Sequence, residues 1–111
     1  MKERLVIVPT YNEIENIGNL VEAVMDLPME IDLLVVDDHS PDGTGLKIKE
    51  LKRIYKDRLH LLERPGKLGL GTAYIMGFKW ALDQGYHYIC EMDADFSHDP
   101  ADLPRLFNAC N

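Results

Sequence analysis

The side chains in this chain best suited to chemistry are six aspartates that gather in two groups. Asp37 and Asp38 are adjacent with Asp42 shortly after, and Asp93, Asp95 and Asp99 form a second group. Carboxylates brought to one edge repel one another, which makes their ionisation costly unless a cation lies among them. Hard oxygen donors of this kind select magnesium or manganese, with one or two carboxylates on the ion and ligand phosphates completing its shell. Asp93 and Asp95 are separated only by Ala94. Both can face one pocket if the chain bends there, and the small Ala94 lets a bulky ligand approach the backbone. An Asp-x-Asp alone has little specificity, since surface turns produce it often. Nucleophilic catalysis finds no support: no Ser-His-Asp or Cys-His arrangement suggests itself, and His39, His60, His87 and His98 are scattered.

What must position these carboxylates is a set of alternating elements. Leu5 to Val8, Ile31 to Val36, Leu59 to Leu62 and Tyr86 to Met92 are near-continuously apolar, as strands covered on both faces are. Between them lie helical patterns. The first opens at Asn12 as N-cap, with Glu15 as capping-box partner and Ile14, Ile17, Val21 and Val24 on one stripe, and stops at Pro28. The second starts near Asp42 and sets Leu46, Ile48, Leu51 and Ile54 among lysines as one buried face. The third begins in the stretch Gly66 to Gly71, runs through Tyr74, Gly77 and Trp80 and ends at Gly85; a fourth starts at Pro100. This β-α alternation predicts an α/β fold with a parallel sheet covered on both sides. Function is then expected in the loops at the strand C-termini, where both aspartate groups fall.

With 111 residues, 46% of them hydrophobic, the chain has the size of one domain, and no linker or repeat marks a boundary. Its formal charge of −7, without a run of Lys or Arg, argues against a nucleic-acid partner. No apolar stretch approaches the roughly 20 residues of a membrane-spanning helix, and the N-terminus lacks the apolar core of a signal peptide. Cys90 and Cys110 give neither a disulfide framework nor metal-ligand spacing, so a reducing cytoplasm is the expectation.

Structural roles compete for several of these residues. Asp37 either belongs to the site or serves only to orient its neighbours or cap the next helix. Asp42, before Gly43, reads more readily as a helix cap than as a ligand. Glu13 alone reads as a first-turn partner of the helix dipole. His98 is placed either to touch phosphate or sugar or to pack a helix entry. Gly66, Gly69 and Gly71 lack the Gly-Lys-Ser/Thr ending of a P-loop and read as a turn that also permits close helix packing. Lys67 either approaches a phosphate or is simply solvated. Tyr74 and Trp80 read as core.

Four blocks carry a family resemblance: IVPTYNEIENI from Ile7 to Ile17, VVDDHSPDG from Val35 to Gly43, RPGKLGLGTAYIMGF from Arg64 to Phe78, and MDADFSHDP from Met92 to Pro100. In this order they resemble family 2 glycosyltransferases, the third block resembling the dolichol-phosphate mannose synthase branch in particular. The resemblance implies a Rossmann-like GT-A fold with four parallel strands in the order 3-2-1-4, helices on both faces, and residues 1–111 forming its nucleotide-sugar-binding half, truncated before the acceptor-binding half. It implies that Pro9, Tyr11 and Glu13 line the base and ribose, with Asp38 and the backbone at Val36 touching the nucleoside. Asp93, Ala94 and Asp95 would hold the diphosphate through Mg2+ or Mn2+, Asp93 and Asp95 being the metal-binding and catalytic pair and Asp95 the nearer ligand. Some relatives carry glutamine where Ser97 stands.

The activity so implied is transfer of a hexose, mannose from GDP-mannose, to a polyprenyl (dolichyl) phosphate with inversion, at the cytoplasmic face of a membrane. An ionised phosphate acceptor needs no strong general base. Three alternatives are a UDP-sugar donor, a fragment that binds nucleotide sugar without turning it over, and a phospho-accepting receiver domain, which VVDDH also resembles. A receiver, however, ends its first strand with the acidic pair, whereas a strand and a helix precede it here. The fourth strand is further expected to present an unpaired edge that favours self-association.

Overall fold

A computed structural model describes residues 3–66, 69–97 and 99–109. The described residues form one parallel sheet in the order β3-β2-β1-β4, with β1 at Arg4–Thr10, β2 at Asp32–Asp37, β3 at Leu59–Glu63 and β4 at Tyr88–Glu91. Four helices accompany it: α1 (Ile14–Met25), α2 (Thr44–Tyr55), α3 (Leu70–Gln84) and α4 (Leu103–Ala109). The predicted strand order is the observed one.

The pleat of β1 divides the core. Val6 and Val8 pack with Ile17, Leu20, Val21 and Val24 of α1, Ile48 of α2, and Leu103 and Phe107 of α4. Leu5 and Ile7 point the other way, into a cluster with Leu34, Val36, Ala73 and Ala81, where α3 lies. Because both faces are covered, β1 and β2 read as unbroken apolar runs rather than alternating ones. By contrast β4, paired only with β1 among the described residues, leaves Tyr88, Ile89 and Cys90 half-buried.

One contact sets the distance between α3 and the sheet. A Cβ built on Gly77 would lie 2.7 Å from Ile7 Cγ2, closer than real atoms come, so only glycine lets the helix approach β1 this far. The expected close packing at Gly66 and Gly71 is absent: a Cβ there meets nothing within 4 Å. Gly69 does serve the turn, holding φ +97° immediately before α3.

Two helix readings are corrected. Asn12 does not cap α1; it adopts φ 57°, the cap position falls to Glu13, and neither supplies a side-chain cap. The proposed capping box with Glu15 is therefore not formed at that position. On α2, Ile48 is buried and Leu51 half-buried, but Leu46 and Ile54 are 70% and 68% exposed. Residues two apart lie on opposite sides of a helix, so Leu46 cannot share the face of Ile48.

Candidate functional site

The sheet changes direction between β1 and β4, since the chain builds outward from β1 to β2 and β3 and then returns to the other side of β1. Crevices open at such a switch point, beyond the strand C-termini. Local chemistry helps to open this one. Ile7 O accepts from Met92 N, so Ile7 hydrogen-bonds toward β4. Pro9, two residues on, directs its donor-free nitrogen to the same side, past the last β1–β4 pair at Ile7 and Glu91. No ladder bond is lost there, and the strands part.

The resulting cavity has a volume of about 300 Å³, at the small end of the roughly 300–1,000 Å³ of ligand sites. Pro9, Thr10, Tyr11 and Glu13 line one side, Asp93, Ala94 and Asp95 the other, with Asp38, Gly69 and Ala73 completing it. Of the sequence-predicted site residues the structure thus gathers Pro9, Tyr11, Glu13, Asp38, Asp93, Ala94 and Asp95 around one space. Val36 is not among them: it is fully buried within β2, paired with Pro9 and packed in the α3-side core. Lys67, His98 and Cys110 lie outside the described residues.

Three of the loops around the cavity contain a non-glycine residue with positive φ: Asn12 at 57° after β1, His39 at 54° after β2 and Phe96 at 62° after β4. This is sparsely populated backbone, found where surrounding contacts over-determine the chain. After β2 those contacts centre on Asp37, which is buried and accepts from Thr10 Oγ1 (2.7 Å), Ser40 Oγ (2.6 Å) and Ser40 N (3.0 Å). Its carboxylate is committed to orienting neighbours, one of the two roles weighed for it.

Asp42 acts as the cap expected of it, but for two helices. It accepts from Thr44 N (3.0 Å) and Thr44 Oγ1 (2.6 Å) at the start of α2, and from Ile14 N (3.1 Å) at the start of α1. Burial alone would raise the Asp42 carboxyl, yet these hydrogen bonds hold it below its ordinary 3.8.

Asp38 is joined to a partner that the sequence reading left without a role. Arg64 grips it with two bonds, Nε to Oδ1 at 2.5 Å and Nη2 to Oδ2 at 2.8 Å, and both side chains are almost fully buried. The same guanidinium donates to Thr72 Oγ1 (2.7 Å) and Gly69 O (2.9 Å). Arg64 therefore ties the end of β2 to the start of α3, using the planar fork that lysine lacks. Its signal in the sequence was a lone arginine directly after an apolar strand, which no pattern pairs with an aspartate 26 residues earlier.

Across the cavity β4 ends at Glu91, and Asp93 and Asp95 follow on a turn instead of on the strand. Tyr74, expected in the core, is half-buried and donates its hydroxyl to Asp93 Oδ1 at 3.1 Å. Burial, followed by the charge of Asp93, raises the phenol far above its ordinary value and keeps it a donor. Ser97 N donates to Asp95 Oδ1 at 3.0 Å, and Ser97 Oγ lies 3.5 Å from Asp93 Oδ2. Asp99 accepts from Ala101 N and caps the turn that leads into α4.

Among the described residues no group of three or more His, Cys, Asp or Glu side chains is arranged to hold a metal. Two carboxylates beside an open cavity are instead the donor set of an ion that completes its shell from phosphate and water, so the residues fit Mg2+ or Mn2+ held in that way. A helix N-terminus is the usual alternative cradle for phosphate. At the entry to α1 three successive backbone donors are engaged within the protein: Asn12 N goes to Ser40 Oγ (2.9 Å), Glu13 N to Thr44 Oγ1 (3.1 Å) and Ile14 N to Asp42 Oδ2 (3.1 Å).

Comparison with known proteins places this geometry. The polyprenol monophosphomannose synthase of Mycolicibacterium smegmatis is 50% identical over 105 residues, covering 95% of this chain and 40% of that protein. The undecaprenyl-phosphate mannosyltransferase of Micrococcus luteus is likewise 50% identical over 105 residues, covering 95% of this chain and 43% of that protein. The chain thus spans about two fifths of the length of these relatives. In three dimensions it resembles the mannosyltransferase PcManGT from Pyrobaculum calidifontis, in complex with GDP-Man and Mn2+, with a TM-score of 0.75 at 24% identity over 92% of this chain and 30% of that one; at that identity the likeness concerns the fold. TarS from S. aureus, in complex with UDP-GlcNAc, superposes with a TM-score of 0.69 at 30% identity over 96% of this chain and 30% of that one. The family described as "Glycosyl transferase family 2" matches residues 5–111, nearly the whole sequence and every element that builds the cavity, and the chain belongs to that family.

Proposed function

We propose that this chain is the nucleotide-sugar-binding part of a glycosyltransferase that moves mannose from GDP-mannose to a polyprenyl phosphate, with inversion at the anomeric carbon. The observation that carries the reading is the meeting of two sets of residues in one cavity: Pro9, Tyr11 and Glu13 from the end of β1 and the loop after it, and Asp93 and Asp95 from the loop after β4. The first set suits a nucleoside, an apolar and aromatic surface with one carboxylate. The second suits a diphosphate through a cation, because two carboxylates repel a phosphate directly.

Asp93 and Asp95 would hold Mg2+ or Mn2+, with Asp95, the more exposed of the two, as the nearer ligand. When bound, the ion supplies neutralisation of charge on the departing nucleoside diphosphate. The protein's own part is to orient the donor, with Ala94 allowing close approach to the backbone. A polyprenyl phosphate acceptor brings an oxygen already ionised near neutral pH, which suits a cavity without a histidine among its described lining residues.

Support for the sugar and the acceptor comes from the names of the two relatives and from the GDP-Man and Mn2+ of the P. calidifontis structure. The acceptor-binding half would lie in the additional length that those relatives possess, and the present chain alone is expected to bind nucleotide and transfer little. A UDP-sugar donor is the second reading, favoured by the UDP-GlcNAc complex of TarS. No described helix is long and apolar enough to cross a membrane; action at the cytoplasmic face belongs to this proposal, as does self-association through the open edge of β4, which concentration-dependent sedimentation would reveal. Calorimetric titration of GDP, UDP and their mannose and N-acetylglucosamine derivatives, with and without Mn2+, tests the assignment. GDP-mannose should bind most tightly and only with metal, and Asp95→Ala should abolish the metal-dependent component. Equal binding without metal, or an unchanged Asp95→Ala, overturns it.

A further inference from the structure

The turn that carries Tyr11 and Glu13 is held by another loop. Three successive backbone donors, Asn12 N, Glu13 N and Ile14 N, are taken by Ser40 Oγ, Thr44 Oγ1 and Asp42 Oδ2. The two hydroxyls are themselves fixed. Ser40 donates its single hydroxyl proton to Asp37 Oδ1, and Thr44 donates its own to Asp42 Oδ1. Each hydroxyl can then offer only lone pairs to the α1 turn, which sets the direction of the bond. The backbone of each residue is anchored too, Ser40 N on Asp37 Oδ2 and Thr44 N on Asp42 Oδ1. Within α1 no side chain performs this task.

We infer that Ser40, Asp42 and Thr44 are positioning residues for the nucleoside end of the pocket, acting through the backbone of residues 12–14. The inference rests on the nucleotide-sugar reading. Fixing three consecutive N–H groups fixes the chain through the positive φ of Asn12, and hence the directions in which Tyr11 and Glu13 leave it on either side. Both line the cavity, whereas Ser40, Asp42 and Thr44 do not. The diphosphate end, at Asp93 and Asp95, lies in the loop after β4 and receives none of these bonds.

That asymmetry provides the test. Thr44→Val removes the hydroxyl at nearly constant volume, Thr44→Ser keeps it, and Ser40→Ala removes the second hydroxyl where Thr44→Val proves too unstable to study. Amide hydrogen exchange at residues 12–14, thermal midpoint, and Mn2+-supported binding of GDP and of pyrophosphate are measured for each. Thr44→Val should speed exchange at Glu13 and weaken GDP by about five- to tenfold, the worth of a lost hydrogen bond, while pyrophosphate binds as to wild type and Thr44→Ser restores GDP. Ser40→Ala should do the same at Asn12. Wild-type GDP affinity despite faster exchange overturns the inference, and so does a parallel fall of GDP and pyrophosphate affinity in step with the thermal midpoint. Failure of the wild-type chain to bind any nucleotide sinks the underlying reading on that titration alone, before any variant is compared.

Discussion

The hydroxyl of Tyr74 donates to Asp93 Oδ1 across 3.1 Å, so the helix beneath the pocket holds one carboxylate of the Asp-x-Asp pair from behind. The phenol stays protonated, because burial and the neighbouring carboxylate both raise it. Tyr74→Phe keeps the ring and removes the donor. A hydrogen bond to a charged group contributes about 1.5–3 kcal/mol to stability, so the thermal midpoint should fall, and Mn2+-dependent GDP-mannose binding should weaken about tenfold as Asp93 loses its fixed position. Calorimetry with Mn2+ checks this; wild-type affinity alongside a lowered thermal midpoint would show that the contact serves stability alone.

Arg64 and Asp38 form a pair with side chains 1% and 8% exposed. Removing one partner leaves the other charge buried without compensation, which costs about 3–5 kcal/mol. Arg64→Ala should therefore destabilise by about that amount in urea unfolding. Arg64→Lys should recover only part of it, because an ammonium cannot serve both oxygens of Asp38, Thr72 and Gly69 with one planar fork.

At Gly77 the prediction is steric. Gly77→Ala places a methyl 2.7 Å from Ile7 Cγ2 and should cost about 1–3 kcal/mol by overpacking. Ile7→Ala removes the obstructing atoms, so the double variant should be more stable than the sum of the two single losses implies. Additive losses would place the strain elsewhere.

A pH-dependent term resides at the opposite end of the sheet, where Tyr86 donates to Asp32 Oδ2 at 2.5 Å. Desolvation by burial, partly countered by this hydrogen bond, raises the Asp32 carboxyl above its ordinary 3.8. The folded state then binds the proton more tightly than the unfolded chain does. Its contribution is fully present below pH 3.8 and is lost as pH rises through the folded value. Asp32→Asn should flatten this part of the stability profile. Tyr86→Phe, by removing the hydrogen bond that favours the ionised form, should extend the loss to higher pH. Thermal midpoints measured from below pH 3.8 to neutrality separate the three proteins.

Much of the architecture was legible because it rests on short-range patterning. Unbroken apolar runs marked β1 and β2 as strands covered on both faces, and the α1 stripe marked its buried side at Ile17, Val21 and Val24, although Ile14, expected on the same stripe, is exposed at the start of the helix. Patterning misled where an apolar residue had no face to join, as at Leu46 and Ile54, and where a cap came from far away, as at Asn12. The aspartates were located correctly at the strand ends because β-α alternation alone decides which loops share an edge.

What the sequence by itself determined was therefore the element order, the identity of the carboxylates and, through the ordered motifs, the family. Tertiary structure decided which groups remain available to a ligand. It commits Asp37 to the Thr10–Ser40 knot, joins Asp38 to Arg64, turns Tyr74 from core into a support for Asp93, and uses the α1 donors on Ser40, Asp42 and Thr44. Each of these depends on hydrogen bonds between residues far apart in the chain, whose geometry exists only once the sheet has brought the loop ends together; residue type and spacing carry no record of it.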